Sequence, residues 1–215
     1  MISILIPIYN GIEFIDESVM SVINQTYTNW ELLIGINGHP KNSNVFITAK
    51  EYEKKLNKIR VFDFFNIKGK SNTLNEMLNY CNYDYVAILD VDDIWEPRKL
   101  ETQSNFLHYY DVIGSRCIYF GDKNICVPLP LGDISNFDFR ITNPIINSSS
   151  ITRKHLCFWA VEGIEDYDLW LRLRKLGKKF YNCSEILVKH RIHSESAFNS
   201  KGNEILGKKI SENYN

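Results

Sequence analysis

Short apolar runs alternate with segments of helical periodicity over the first 90 residues, and this alternation constrains the fold more than any other feature. The apolar runs span residues 2–8, 30–36, 59–64 and 85–89. Runs of this length and continuity are typical of strands that are buried on both faces. Because a helical segment follows each of the first three runs, the pattern predicts an α/β fold with a mainly parallel sheet flanked by helices.

The second half of the chain is less regular. We expect helices at 95–109 and 165–176, and strands at 112–120, 145–152 and 186–190. Glycines and prolines make residues 121–144 a long loop region, and the tail from residue 197 is polar. The chain shows no internal repeat and no clear linker, so a single domain is predicted.

Composition narrows the class of protein. With 25 Lys plus Arg against 26 Asp plus Glu, the net charge of -1 argues against a nucleic-acid partner. A hydrophobic content of 44% excludes a disordered chain. No apolar run approaches the ~20 residues of a membrane span, and no signal sequence or C-x-x-C pair is present. We therefore expect a soluble, cytoplasmic protein without a transmembrane segment or a disulfide framework.

Three aspartates, Asp90, Asp92 and Asp93, directly follow the apolar run at 85–89. Ligands bind beyond the carboxyl ends of strands in open parallel sheets. Asp90 and Asp92 project to the same side of an extended chain, and two carboxylates there suit Mg²⁺ or Mn²⁺ completed by substrate phosphates. Helix capping is the alternative explanation, but it accounts for one aspartate rather than three.

A second acidic cluster begins the helix predicted at 165–176. Glu165 and Asp166 lie at its start, where a fixed carboxylate can take a proton from a hydroxyl group. Acidic side chains in a first turn also stabilise the helix dipole, and Asp168 can pair with Arg172 four residues later. The residues alone leave both explanations open.

Six segments in register resemble the family 2 glycosyltransferases, which have the GT-A fold. The resemblance covers residues 2 to about 196. The segments are SILIPIYN from Ser3, SVINQTYTNWEL from Ser21, LDVDDIWEP from Leu89, SSS from Ser148 before Arg153, EDYDLWLR from Glu165 and HRIH from His190. The resemblance implies a glycosyltransferase domain at 1–196 and a polar tail at 197–215. Within the domain, a Rossmann-like nucleotide-binding half covers 1–93 and an acceptor-side half covers 94–196.

The resemblance also implies an activity and its catalytic residues. The activity is inverting transfer of a sugar from a nucleotide-sugar donor, usually a UDP-sugar, to a hydroxyl acceptor such as a growing glycan, with Mn²⁺ or Mg²⁺ as cofactor. Asp92 would bind the metal, Asp90 would contact the ribose or a metal-bound water, and His193 could approach the metal or phosphate. Asp166 would be the catalytic base, with Glu165 as the runner-up.

The nucleotide-binding residues include one departure from the family pattern. Pro7 and Tyr9 would line the nucleobase pocket, and Lys70 would lie near the diphosphate. The family usually carries two aspartates after the second strand, where this chain has Ile36 and Asn37. An asparagine can accept a ring N–H and can also donate, so nucleobase binding is kept while its selectivity is in question.

Two other functions remain as alternatives. A nucleotidyltransferase would also use strand-end aspartates with a metal, but it would bring a basic, glycine-rich loop after its first strand. The segment PIYNG that starts at Pro7 contains no basic residue. The second alternative is a non-catalytic nucleotide- or glycan-binding module, which the changes at Ile36 and Asn37 leave open.

Overall fold

The first half of the chain forms a parallel sheet. The structure, a computed structural model, describes residues 1–193 and 203–214. The elements up to residue 88 are β1 (Ile2–Ile8), α1 (Ile15–Ile23), β2 (Trp30–Asn37), α2 (Asn44–Lys50), β3 (Ile59–Phe64), α3 (Lys70–Met77) and β4 (Tyr85–Ile88). The four strands pair in the order β3-β2-β1-β4, all parallel. The strand–helix alternation predicted from the sequence is confirmed.

Burial explains why these strands are mainly apolar. Every residue of β1 and β2 is buried, because the sheet is covered on both faces. One hydrophobic cluster on each side of the sheet fills the space beneath the helices. The carboxyl ends of the parallel strands therefore meet at one edge, where polar side chains can be held on a rigid support.

The second half extends the same sheet. Its elements are β5 (Ile94–Trp95), α4 (Lys99–Ser104), β6 (Val112–Gly121), β7 (Ile125–Cys126), β8 (Gly132–Asp133), β9 (Ile151–Arg153), α5 (Glu165–Lys175), β10 (Phe180–Ile192) and α6 (Asn203–Glu212). Strand β9 lies antiparallel between β4 and β6, β10 runs parallel to β6, and β5 closes the order antiparallel to β10. Short strands β7 and β8 pair with β6 and β10. The α/β fold with a mainly parallel sheet is confirmed.

Three element boundaries differ from those predicted. The helix expected at 95–109 is limited to α4, because Trp95 pairs with Val188 of β10. The strand expected at 145–152 is limited to β9, because residues 147–149 form a 3-10 turn. The last strand begins at Phe180 rather than 186, because a register shift after Cys183 admits polar and exposed residues into β10.

The polar tail expected from residue 197 contains a helix that packs on the domain. Residues 197–202 lie outside the described part of the chain, but α6 contacts α5. Ile210 is buried, and the Tyr214 hydroxyl donates to Asp168 at 2.6 Å. Isolated apolar side chains give too weak a periodic signal to reveal this helix in a polar segment. Within residues 1–193 and 203–214, no helix is long and apolar enough to cross a membrane.

Candidate active site

A cleft of about 930 Å³ lies at the carboxyl edge of the parallel strands. The ends of β1, β2 and β4, the start of α3 and the end of β10 form its walls. The turns after β1 and β2 and before α3 contain Gly11, Gly38 and Gly69, each with a positive φ. Glycine adopts this backbone conformation without strain, so the chain reverses here and leaves the strand ends open.

Aromatic and amide side chains line one end of the cleft. Asn37 is buried at the end of β2, and Pro7, which pairs with Gly35, lies near the end of β1. Tyr9 is 57% exposed, and its ring centre lies 5.3 Å from that of His39. The His39 Nε2 lies 2.5 Å from the Tyr9 carbonyl oxygen, and it must donate because a carbonyl only accepts. The predicted nucleobase residues are therefore together, and His39 joins them although no sequence pattern indicated it.

Asp90 lies at the centre of the cleft and is paired with a cation. The Lys70 ammonium lies 2.7 Å from Asp90 Oδ1, and the Asn147 amide approaches both carboxylate oxygens at 3.4 Å. The Ser148 hydroxyl accepts a hydrogen bond from the Asp90 backbone N–H at 3.1 Å. Burial by itself would raise the pKa of Asp90, but Lys70 outweighs it and holds the pKa below its usual value. Asp90 is therefore ionised and already engaged with Lys70.

Asp92 and His193 also line the cleft and form a second pair. His193 Nε2 lies 3.1 Å from Asp92 Oδ2. Burial, together with the nearby Asp93 and Asp90 carboxylates, raises the pKa of Asp92. A divalent cation would relieve this accumulation of negative charge.

The separation of these two donors fits a magnesium or manganese ion. Neighbouring ligands in an octahedral shell with bonds of about 2.1 Å lie about 3 Å apart. Asp92 would supply a carboxylate oxygen, and His193 would supply a ring nitrogen. In the described part of the chain, no three His, Cys, Asp or Glu side chains are grouped to hold an ion. A two-donor site leaves the other positions to phosphate oxygens and water, as is common for Mg²⁺.

Asp93 is fully buried and supports the strand that carries His193. It lies 2.9 Å from His190 Nδ1, and it accepts the Arg191 backbone N–H at 2.9 Å. Burial by itself would lower the pKa of His190, but Asp93, with Asp90 and Asp92, raises it to about 9. His190 is thus protonated at neutral pH, and the buried Asp93 carboxylate has its counter-charge.

Glu165 and Asp166 begin α5, as predicted from the sequence. Glu165 lies 3.2 Å from the Lys70 ammonium. Asp166 Oδ2 accepts a hydrogen bond from the Asn143 amide at 3.3 Å, and Oδ1 accepts the Tyr167 N–H at 2.7 Å. Burial, and then the neighbouring Glu165 charge, raise the pKa of Asp166 to about 7.

Lys70 joins the two acidic clusters. It is the common partner of Asp90, after β4, and of Glu165, at the start of α5. Opposing carboxylates raise the pKa of Lys70 although burial acts to lower it, so the ammonium stays charged. Clusters that are separated by 75 positions in the chain are therefore neighbours in space. No sequence motif indicated the supporting residues Asn143 and Asn147, and His190 lies in the HRIH segment, where no role was predicted for it.

The fold matches that of glycosyltransferases of the GT-A type. Residues 1-349 of S. aureus TarS, solved with UDP-GlcNAc, superpose with a TM-score of 0.76 at 18% identity, covering 93% of this chain and 60% of that one. A mannosyltransferase from Pyrobaculum calidifontis, solved with GDP-Man and Mn²⁺, has a TM-score of 0.70 at 12% identity, covering 91% of this chain and 58% of that one. This chain therefore spans less than two thirds of either protein.

The chain belongs to glycosyl transferase family 2, whose model matches residues 3–161. The putative glycosyltransferase EpsE of Bacillus subtilis is 27% identical over 91% of this chain and 74% of its own length. WfgD of Escherichia coli, a UDP-Glc:alpha-D-GlcNAc-diphosphoundecaprenol beta-1,3-glucosyltransferase, is 28% identical over 95% of this chain and 82% of its own length. Family membership favours the glycosyltransferase prediction over the nucleotidyltransferase alternative.

Proposed function

We propose that this chain transfers a sugar, with inversion, from a UDP-sugar to an acceptor hydroxyl group on a glycan. The observation that carries the proposal is the position of Lys70 between Asp90 and Glu165. Asp90, after β4, and Glu165, at the start of α5, contact the same ammonium group, so that the two acidic clusters lie on either side of it. A donor bound along the cleft would have its leaving group on one side of the ammonium group and an attacking hydroxyl on the other.

On the donor side, the cleft offers one set of groups for each part of a nucleotide. Tyr9, Pro7 and Asn37 would hold the nucleobase, with the Tyr9 ring as a stacking surface. Asp90 would accept a hydrogen bond from a ribose hydroxyl or from a metal-bound water. Lys70 would move its charge toward the diphosphate, where an ammonium group is a suitable partner.

Asp92 and His193 would hold Mn²⁺ or Mg²⁺, with Asp90 close to the same ion. When bound, the divalent ion stabilises the negative charge that develops on the departing diphosphate. Asp92 would fix the position of that charge relative to the sugar because it lies in the short turn between the buried strand β4 and β5. The protein thereby supplies orientation as well as charge.

On the acceptor side, Asp166 would act as the base. The acceptor oxygen bonds to the anomeric carbon as the bond to the diphosphate oxygen breaks, and the hydroxyl proton passes to an Asp166 carboxylate oxygen. One displacement of this kind inverts the anomeric configuration. Asn143 and the Tyr167 N–H hold one carboxylate oxygen each, so the carboxylate orientation is fixed. The loops in 121–144, which include Asn143, would contribute to acceptor recognition.

Donor turnover tests the proposal directly. The protein would be incubated with UDP-, GDP- and TDP-sugars in Mn²⁺, and release of the nucleoside diphosphate would be scored. We expect turnover of a UDP-sugar that stops when the metal is chelated. Binding without turnover of any donor would support the non-catalytic module. Release of pyrophosphate from a nucleoside triphosphate and a sugar phosphate would support a nucleotidyltransferase.

The raised pKa of Asp166 predicts a pH dependence of the transfer rate. A base works only when it is unprotonated, and this carboxyl holds its proton up to a pKa of about 7. The single-turnover rate should therefore rise from pH 5 through about 7 and level off above it. Asp166→Asn should remove the rise in any residual rate, whereas a flat wild-type profile would contradict the assignment.

Asn37 predicts a relaxed choice of nucleobase. Its amide can accept the ring N–H of uracil or thymine, and it can also donate to the bare ring nitrogen of cytosine. We expect UDP and CDP to bind within about tenfold of one another, and Asn37→Asp to favour UDP, because one hydrogen bond is worth about 0.5–1.5 kcal/mol. Thermal-shift titrations across nucleoside diphosphates measure this. A steep wild-type preference for UDP over CDP would show that selectivity is not relaxed here.

A further inference from the structure

The Arg191 side chain connects the loop after β4 to a helix. It is mostly buried, with 16% of its side-chain surface exposed. Nε donates to the backbone carbonyl of Asp92 at 2.9 Å, and Nη2 donates to the Glu17 carboxylate in α1 at 2.9 Å. A guanidinium holds its donors in one plane with fixed angles, so the two partners are fixed relative to one another. The backbone that carries Asp92 is thereby attached to α1.

Phe14 connects the same guanidinium to His193. The guanidinium carbon lies 4.5 Å from the Phe14 ring centre and 4.4 Å from that of Phe120, within cation–π range. The Phe14 ring in turn lies 5.4 Å from the His193 imidazole. Arg191 therefore supports the Asp92 backbone directly and the His193 ring through Phe14.

The backbone of Arg191 makes a third connection. Its N–H donates to Asp93 Oδ1 at 2.9 Å, and Asp93 is fully buried. Asp93 directly follows Asp92 in the chain, and Arg191 precedes His193 by two residues. The loop after β4 and the end of β10 are thus joined beside the pair of side chains that faces the cleft.

From these contacts we propose that Arg191 is a positioning residue of the divalent-ion site, which sets the separation between Asp92 and His193. The inference rests on the proposed role of those two side chains as ligands. Groups behind the direct ligands orient them, and losing one typically weakens metal binding about 10–100-fold. The competing explanation is that Arg191 only balances the charge of the three aspartates after β4.

Arg191→Lys separates the two explanations. Lysine keeps the positive charge and a long alkyl chain. Its ammonium group cannot reproduce the planar guanidinium, which donates to Asp92 and to Glu17 at fixed angles. Calorimetry of UDP binding to the full chain, with and without Mn²⁺, gives the gain in affinity that depends on the metal. We expect this gain to fall by about tenfold or more in Arg191→Lys, while UDP affinity without metal stays within about twofold. Arg98→Lys is the matched control, because the Arg98 side chain is 74% exposed, and it should leave the gain unchanged.

Each outcome of this experiment decides the proposal. A full metal-dependent gain in Arg191→Lys would overturn it in favour of charge balance. A parallel loss of metal-free UDP affinity and of thermal stability would overturn it in favour of a general structural role. If Arg191→Lys does not fold, Glu17→Gln is the second variant, because it weakens only one of the two guanidinium contacts. It should reduce the gain by a few fold, which is less than the loss of about 10–100-fold expected when the whole supporting group is lost. An unchanged gain in Glu17→Gln would then overturn the proposal.

The wild-type protein distinguishes this inference from the proposed function. If wild-type UDP affinity does not respond to Mn²⁺, the proposed ion ligands Asp92 and His193 fail, and the role of Arg191 fails with them. If the wild type responds and the Arg191 variant responds equally, only the positioning inference fails.

Discussion

Replacing Asp166 with asparagine is expected to lower the sugar-transfer rate by about 10²–10⁴-fold, while folding and donor binding persist. Asparagine keeps the volume of the side chain and its bond to the Tyr167 N–H, but it cannot take the acceptor proton. If Asp166 only stabilises the helix dipole, its loss costs about 0.3–1 kcal/mol of folding free energy and leaves turnover nearly intact. Single-turnover transfer and thermal unfolding, measured on the same sample, separate the two roles.

Glu165→Gln is the control for this experiment, because the two carboxylates are adjacent and occupy different environments. Glu165 is paired with Lys70, whereas Asp166 is held by Asn143 and Tyr167. We expect the larger loss of rate at Asp166. A large loss at Glu165 alone would move the base by one residue without changing the mechanism. A wild-type rate of sugar transfer in both variants would show that Glu165 and Asp166 have only a structural role.

Replacing Asp92 with asparagine should remove most of the benefit that Mn²⁺ gives to nucleotide binding. The substitution keeps the shape of the side chain but removes its negative charge, which also relieves repulsion from Asp93 and Asp90. Because loss of groups behind a ligand costs about 10–100-fold in metal affinity, loss of a ligand should cost about 100-fold or more. Calorimetry with UDP and Mn²⁺ measures the effect, and the fold should remain intact.

Asp84→Asn provides a matched comparison for Asp92→Asn. Asp84 is exposed and directly precedes β4, at the end of that strand opposite to the cleft. The same loss of one negative charge at this position should leave the response to Mn²⁺ unchanged. Equal UDP affinity in Mn²⁺ for wild type and Asp92→Asn would refute the metal assignment for Asp92.

The central strands could be predicted from the sequence because their burial leaves little choice of residue. The run at 2–8 matches β1 at both ends, and the runs at 30–36 and 85–89 match β2 and β4 to within one residue. A strand covered on both faces is mainly apolar, and this pattern differs from that of a half-buried helix. The strand-end aspartates followed from the same reasoning, since chain order alone assigns them to the carboxyl edge of the sheet.

The outer elements could not be predicted in the same way. In β10, a register shift places exposed Ser184 and Glu185 within a strand that also holds the buried Asn182. In α6, Ile210 is buried only because α5 supplies the surface that covers it. The burial of such residues depends on contacts with one neighbouring element. Neither the two-residue period of a strand nor the 3.6-residue period of a helix predicts it.

Sequence by itself determined the class of fold, the edge of the sheet that carries the cleft and the acidic residues at that edge. Tertiary structure alone decided the partners of those acids: Lys70 with Asp90 and Glu165, His193 with Asp92, and Arg191 with the Asp92 backbone. The spacing of apolar residues reflects their burial against the sheet, and this spacing is visible within a short stretch of sequence. Charged pairs between residues up to 101 positions apart depend on where packing places the ends of β4 and β10, and no spacing in the chain encodes that distance.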